Sequence, residues 1–226
     1  MNRIGLLLGA VLVAALASPF VAGAQTTPPR LFLSWRTDAY VPADYPGRSF
    51  PTANSALVLS AALHADGRFL NSDQVTLRWY VDGNLYQAGP GLHTVILRAP
   101  AVPRGRVEIR AEAQAGDVNV SKTVEVPVRS PEAVIAGAYP GNIFRQSAYF
   151  LRARPFFFNV AAANRLTFSW RVDGASPQNS EGPETLGVSL LAGTPAGFRS
   201  TVELRVANPL ATFETAAEAL TLTYSP

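Results

Sequence analysis

The chain has 226 residues, of which 48% are hydrophobic and 15% charged, and it contains no cysteine. This balance excludes a disordered chain, and the missing thiols exclude a disulfide scaffold, a thiolate metal site and a cysteine nucleophile. The formal net charge of +3 comes from scattered arginines and the single lysine, Lys122. Nucleic acid is therefore not an expected partner, because phosphate binding needs a concentrated basic surface.

The first 24 residues have the order of a secretory signal peptide. Arg3 provides the positive start, Ile4 to Ala17 form an apolar core, and Ser18-Pro19 precede the small residues Ala22-Gly23-Ala24. This order predicts cleavage before Gln25 and a secreted or cell-surface location. The alternative is an uncleaved membrane anchor, because the segment carries no charge from Ile4 onwards and is long enough to span a bilayer.

The remaining chain contains four sequence anchors that occur twice in the same order, which indicates a duplication. The anchors are Tyr45-Pro46-Gly47 with Phe50 and Tyr139-Pro140-Gly141 with Phe144; Thr76, Trp79, Val81, Asp82, Gly83 and Thr167, Trp170, Val172, Asp173, Gly174; Gly89-Pro90 and Gly182-Pro183; and Val107, Glu108, Arg110 and Val202, Glu203, Arg205. About 200 residues suit two domains of about 100 residues each. We predict a short linker at 25–30, a first domain at 31–129 and a second at 130–226.

Apolar and polar side chains alternate within each copy, with the period of two that is typical of half-buried strands. The inward positions are Val75, Leu77, Trp79 and Val81 in the first copy and Leu166, Phe168, Trp170 and Val172 in the second. Later runs at 107–113, 124–128, 202–206 and 220–224 follow the same rule. The pattern predicts an all-β chain of two tandem antiparallel β-sandwiches, with Trp79 and Trp170 as core residues.

Both tryptophan strands end in Asp-Gly, a pair that favours tight hairpin turns. The segments Trp79-Tyr80-Val81-Asp82-Gly83 and Trp170-Arg171-Val172-Asp173-Gly174 resemble the polycystic-kidney-disease (PKD) type and related immunoglobulin-like domains of bacterial surface proteins. The resemblance implies immunoglobulin-like sandwiches that serve as an extracellular module for spacing, adhesion or assembly.

Aromatic residues are concentrated at the entry to each copy, including Trp35, Tyr40 and Tyr45 in the first. These segments lack clean alternation, so the three rings are a candidate binding surface for sugar or protein. The alternative is that such rings close the ends of the sandwiches and fill the joint, which we place at the stiff segment 127–131 between two prolines. In Phe156-Phe157-Phe158 the middle ring must point away from its neighbours, and we expect the other domain to cover it.

Candidate catalytic groups are few. His93 aligns with the apolar Leu186 and is interpreted as a partly buried structural residue, whereas His64 precedes a turn and is interpreted as a solvated loop residue. Asn71-Ser72-Asp73 and Asp82-Gly83-Asn84 each offer two calcium ligands, fewer than a calcium site needs, and suit turn chemistry better. We predict no catalytic residue, no metal site and no cofactor.

These observations favour a noncatalytic extracellular or cell-surface module that mediates protein–protein interaction or spacing. The expected partner is another envelope or extracellular protein, and membrane contact is expected only through an uncleaved N-terminal segment. A carbohydrate-binding module with a polysaccharide partner is the alternative, and a hydrolase using His93 is a remote one.

Overall fold

A computed structural model describes residues 27–101, 105–137, 139–177 and 182–226, so the predicted signal segment lies outside the described residues. The first half contains β1 (Arg30–Thr37), β2 (Ala56–Ala65), β3 (Arg68–Phe69), β4 (Thr76–Val81), β5 (Asn84–Pro90), β6 (Thr94–Arg98), β7 (Arg106–Ala115) and β8 (Val118–Pro127). The second contains β9 (Glu132–Ala136), β10 (Ile143–Phe144), β11 (Ala148–Phe156), β12 (Thr167–Val172), β13 (Thr185–Ser189), β14 (Arg199–Ala207) and β15 (Thr215–Tyr224).

The described residues are otherwise loops and single turns of 3-10 helix at Ser72–Gln74, Pro140–Asn142 and Ala163–Arg165. The predicted all-β class is therefore confirmed. None of the helical turns in these ranges has the length and apolar character needed to cross a membrane.

The first sandwich is formed by β1 to β8. In one sheet, β2 pairs with β1 on one side and with β6 and β3 on the other, and the facing sheet has the order β5-β4-β7-β8. Alternate side chains of both sheets point inward and form one hydrophobic cluster that extends from Leu31 to Val128. Trp79 lies in this cluster with 1% of its surface exposed.

The second sandwich is formed by β9 to β15. One sheet has the order β13-β11-β9 and the other β10-β15-β14-β12, in which the β10–β15 pair is parallel. Its separate cluster extends from Ala133 to Leu222 and includes Trp170, which is 6% exposed. In both halves the chain crosses several times between two packed sheets, which is an immunoglobulin-like arrangement. The predicted domain boundaries and the finer PKD-type resemblance stay predictions.

The two Asp-Gly pairs form tight turns in matching positions. Asp82 and Gly83 have φ values of 48° and 79°, and Asp173 and Gly174 have 51° and 81°. Residues in this left-handed region suit a two-residue hairpin turn, and aspartate tolerates it better than most side chains. Both aspartates also bind the neighbouring strand, because their Oδ1 atoms accept from the backbone N–H of Glu108 at 3.0 Å and of Thr201 at 2.7 Å.

The strand pairing shows that one repeat anchor, the match of Val107 with Val202, was aligned in the wrong register. Trp79 pairs with Ala111, whereas Trp170 pairs with Leu204. Val107 therefore corresponds in space to Ser200, and the predicted match of Val107 with Val202 is wrong by two residues. A shift of two keeps every side chain on the same face of the strand, so alternation alone does not reveal it.

A second anchor is also misaligned. When it is corrected, the same hydrogen bond is found within each of the two copies. The indole Nε1 of Trp79 donates to the carbonyl of Leu92 at 2.8 Å, and Nε1 of Trp170 donates to the carbonyl of Pro183 at 3.0 Å. Pro183 thus corresponds to Leu92, whereas Gly89-Pro90 belongs to β5. The N–H group of each buried indole, the only donor of that side chain, is therefore hydrogen-bonded.

A polar pair lies inside the second sandwich, where the first has Val107 at the equivalent of Ser200. The Tyr149 hydroxyl and Ser200 Oγ are 2.9 Å apart, and both residues are buried. Burial raises the pKa of Tyr149; the hydrogen bond to Ser200 opposes this shift and the negative charge of Asp173 adds to it. The folded state therefore favours the neutral phenol.

We expect the unfolding free energy to fall as the pH rises above about 10, the ordinary pKa of tyrosine. Because folding raises the pKa of Tyr149, its contribution to stability is complete below that pH and is lost as the pH rises through the folded-state value. One proton accounts for at most about 1.4 kcal/mol per pH unit. Urea unfolding at successive pH values should show a shallower decline for Tyr149→Phe, and Tyr86→Phe, at an exposed tyrosine, is the control. An unchanged slope in Tyr149→Phe would contradict this assignment.

Candidate functional site at the joint between the sandwiches

The segment that connects the two sandwiches is short and is held on the first one. β8 ends at Pro127 and β9 begins at Glu132. Between them, the N–H of Val128 donates to the carbonyl of Gly105 at 3.1 Å, and the N–H of Arg129 donates to the carbonyl of Pro51 at 2.8 Å. The connection is therefore a fixed part of the structure and not a free linker.

A pair of main-chain hydrogen bonds joins the two sandwiches directly. The N–H of Tyr40, in the loop between β1 and β2, donates to the carbonyl of Phe158 at 2.7 Å, and its carbonyl accepts from the N–H of Phe157 at 2.7 Å. Tyr40 and Phe158 thus form an isolated antiparallel bridge. The β1–β2 loop of the first sandwich thus pairs with the backbone of the second sandwich just after the end of β11.

Four aromatic rings pack across the joint. Tyr45 and Phe50 come from the first sandwich and contact Phe156 and Phe157 of the second, with centroid distances of 5.3 Å for Tyr45–Phe156 and 5.6 Å for Phe50–Phe157. Phe157 is 5% exposed, which confirms that the other half of the chain covers the middle ring. Its φ of 59° is unfavourable for a bulky side chain, so the surrounding packing must offset the strain.

The three predicted binding aromatics do not form an open strip. Trp35 is half-buried against the first core and lies 6.1 Å from Phe50, with the Arg48 guanidinium 3.6 Å above its ring. Tyr40 and Tyr45 are half-buried in the joint. The rings therefore occupy the position that the sequence offered as the alternative, and their role in binding stays a prediction.

Beside Tyr40, the joint leaves a cleft of about 310 Å³. Its charged groups form two pairs: Arg154 contacts Asp44 across the joint, and Arg152 Nη2 lies 3.8 Å from Glu184 Oε2 within the second sandwich. Both sandwiches thus contribute to its walls. The lining residues are Tyr40, Pro42, Ala43, Asp44, Arg152, Ala153, Arg154, Pro155 and Glu184.

The phenol of Tyr40 lies within the electrostatic influence of both pairs. Partial burial is the main cause that raises the pKa of Tyr40, and the carboxylate of Glu184 is the second. The guanidinium groups of Arg152 and Arg154 act in the opposite direction. At neutral pH the Tyr40 hydroxyl is therefore a neutral donor and acceptor at the edge of the cleft.

The charged residues of this cleft were not identified from the sequence. One signal was available, because Arg152 and Arg154 alternate with the buried Leu151 and Ala153 and so point to one outward face of β11. Asp44 and Glu184 had no comparable signal, since they lie in loops whose neighbours only the fold defines.

The structure places both histidines differently from the predictions. His93 is exposed, with Nδ1 2.9 Å from the carbonyl of Gly91, because it precedes β6 and is not on the inward face. His64 lies within β2 and its ring packs against Phe69 at 5.2 Å, so it is not a loop residue.

Both calcium candidates contain the side-chain-to-backbone hydrogen bonds that are expected of turn residues. Asn71 Oδ1 accepts from the N–H of Asp73 at 3.4 Å, and Asn84 donates to the carbonyl of Asp82 at 3.3 Å. Within the described ranges, no three His, Cys, Asp or Glu side chains are grouped closely enough to hold a metal ion.

No family model and no curated protein matches the sequence. Similar solved structures include the three N-terminal domains of the highly immunogenic outer capsid protein (Hoc) of bacteriophage RB49, at 15% identity and a TM-score of 0.46 over 87% of this chain and 59% of that one. The fibronectin(III)-like modules of Clostridium thermocellum CbhA have 12% identity and a TM-score of 0.31 over 83% and 94%. A chimeric titin Z1Z2 protein has 14% identity and a TM-score of 0.34 over 89% and 98%. The chain thus spans less than two thirds of the Hoc fragment.

Proposed function

We propose that this chain is a noncatalytic extracytoplasmic module that presents its two sandwiches to partners at a fixed distance and angle. The joint is the observation that carries the proposal. Main-chain hydrogen bonds, an aromatic cluster around the buried Phe157 and the Asp44–Arg154 ion pair all connect the same two surfaces. Such a joint resists bending, whereas tandem domains joined only by a linker move relative to one another.

A fixed arrangement is useful for binding because a preorganised pair of surfaces loses less conformational entropy when a partner docks. The proposed partner is another envelope or extracellular protein. The predicted signal segment supports export, with a mature chain that begins at Gln25. Mass measurement of the exported chain tests that boundary, and retention of residues 1–24 would favour the anchor instead.

The fixed joint can be tested by pulsed electron paramagnetic resonance on the full exported chain. Because the chain has no cysteine, Thr123→Cys on β8 and Ser169→Cys on β12 introduce two exposed labelling sites, one on each sandwich. We expect one narrow distribution of label distances, as wide as that of a pair within the first sandwich, Thr94→Cys with Thr123→Cys. A distribution several times broader, or one with two separated maxima, would contradict the proposed function.

A further inference from the structure

We infer that the cleft beside Tyr40 binds a neutral sugar residue of an oligosaccharide, between the β1–β2 loop of the first sandwich and β11 of the second. The inference rests on the closed joint of the proposed function, because both sandwiches form the cleft.

The charges of the cleft favour a neutral ligand. Asp44 and Glu184 contribute two negative charges, and Arg152 and Arg154 contribute two positive ones. A phosphate or a carboxylate in this space would be attracted by the two arginines but repelled by the two carboxylates. A cation would be attracted by the carboxylates and repelled by the arginines. A ligand with hydroxyl groups and no net charge avoids both costs.

The polar groups also have the hydrogen-bonding capacity that hydroxyl groups need. Arg152 and Glu184 are 3.8 Å apart, beyond the distance of a direct hydrogen bond, so one sugar hydroxyl can bridge them. The Tyr40 phenol lies in the lining of the cleft, and its hydroxyl can both donate and accept a hydrogen bond. Glu184 is two-thirds buried, which limits competition from water at its carboxylate.

The remaining walls suit the apolar face of a sugar ring. Pro42 lines the cleft together with the ring of Tyr40, and these two residues present C–H and aromatic surface beside the charged pairs. The volume of about 310 Å³ is at the lower end of the range for small-ligand pockets, about 300–1,000 Å³. This is space for one or two sugar residues, with the rest of an oligosaccharide outside.

The test is binding of the full exported chain to an array of neutral oligosaccharides, followed by titration calorimetry with the disaccharide unit of the strongest binder. We expect Tyr40→Phe and Glu184→Gln to weaken binding by about tenfold or more. The first removes the phenol hydroxyl, and the second removes the negative charge that strengthens a hydrogen bond from a sugar hydroxyl. Tyr86→Phe, which removes a phenol hydroxyl on β5 of the first sandwich, should leave binding unchanged.

Three results would overturn the inference: no neutral oligosaccharide binds at millimolar concentration, the two cleft variants bind like the parent, or inorganic phosphate or a glucuronate-containing disaccharide binds in preference to neutral sugars. The label-distance measurement separates this failure from that of the proposed function. A narrow distance distribution without sugar binding contradicts the sugar site alone, whereas a broad distribution contradicts the closed joint on which both depend.

Discussion

Truncation of either core tryptophan is expected to remove about 3–5 kcal/mol of unfolding free energy from its own sandwich. Trp79 and Trp170 are 1% and 6% exposed, and each replacement by alanine leaves a cavity that the two facing sheets cannot fully close. Each change also removes the indole donor that satisfies the carbonyl of Leu92 or of Pro183. A loss of this size is a large part of the 5–15 kcal/mol that stabilises a typical domain.

The measurement is native-state hydrogen exchange of the full chain, which reports the two sandwiches separately. Trp79→Ala should accelerate exchange in β4 and β7, and Trp170→Ala should do so in β12 and β14. Trp35→Ala is the matched control, since that ring is only half-buried and should cost less. Exchange rates equal to those of the parent in either core variant would show that the corresponding tryptophan does not stabilise its sandwich.

Phe157→Ala is expected to open the joint while both sandwiches stay folded. The ring is buried between the two halves and contacts Tyr45 and Phe50, and truncation of a buried phenylalanine costs about 3–5 kcal/mol. Alanine keeps the Cβ atom and hence the backbone strain at φ 59°, so nothing offsets the lost packing. The distance distribution between labels at positions 123 and 169 should therefore broaden severalfold.

Two further variants separate packing from backbone strain. Phe157→Gly removes the same ring but relieves the left-handed strain, so it should open the joint at a smaller total cost. Phe150→Ala removes a ring from an exposed position of β11, the strand that precedes Phe157, and should leave the distances unchanged. A narrow distribution in Phe157→Ala would mean that the main-chain bridge at Tyr40 holds the joint without the aromatic cluster.

The parts of the fold that the sequence predicted are those that depend on local rules. Alternation placed Val107 and Val202 on inward faces, and Asp82-Gly83 indicated a tight turn, because side-chain direction and left-handed φ are properties of a few consecutive residues. The pairing of strands is not local. The two-residue error between Val107 and Val202 arose because every even shift satisfies the same alternation.

The candidate site shows the same division. The sequence identified Tyr40 and Tyr45 as unusual aromatics but could not decide between exposure and a role in the joint. It also provided no pairing for Asp44 with Arg154, which are 110 residues apart and meet only when the sandwiches pack. His93 was misplaced because a sequence offset was used for a position whose surroundings depend on the neighbouring strand.

By itself, the sequence determined an all-β chain with a duplicated tryptophan strand, two hairpin turns and a core that needs no disulfide. The hydrophobic period and the turn residues encode these features within short segments. Only the tertiary structure decided how the sandwiches meet, why Phe157 is buried and which charged groups surround Tyr40. The physical reason is that contacts between distant segments depend on the register and packing of both sheets, which short-range alternation does not specify.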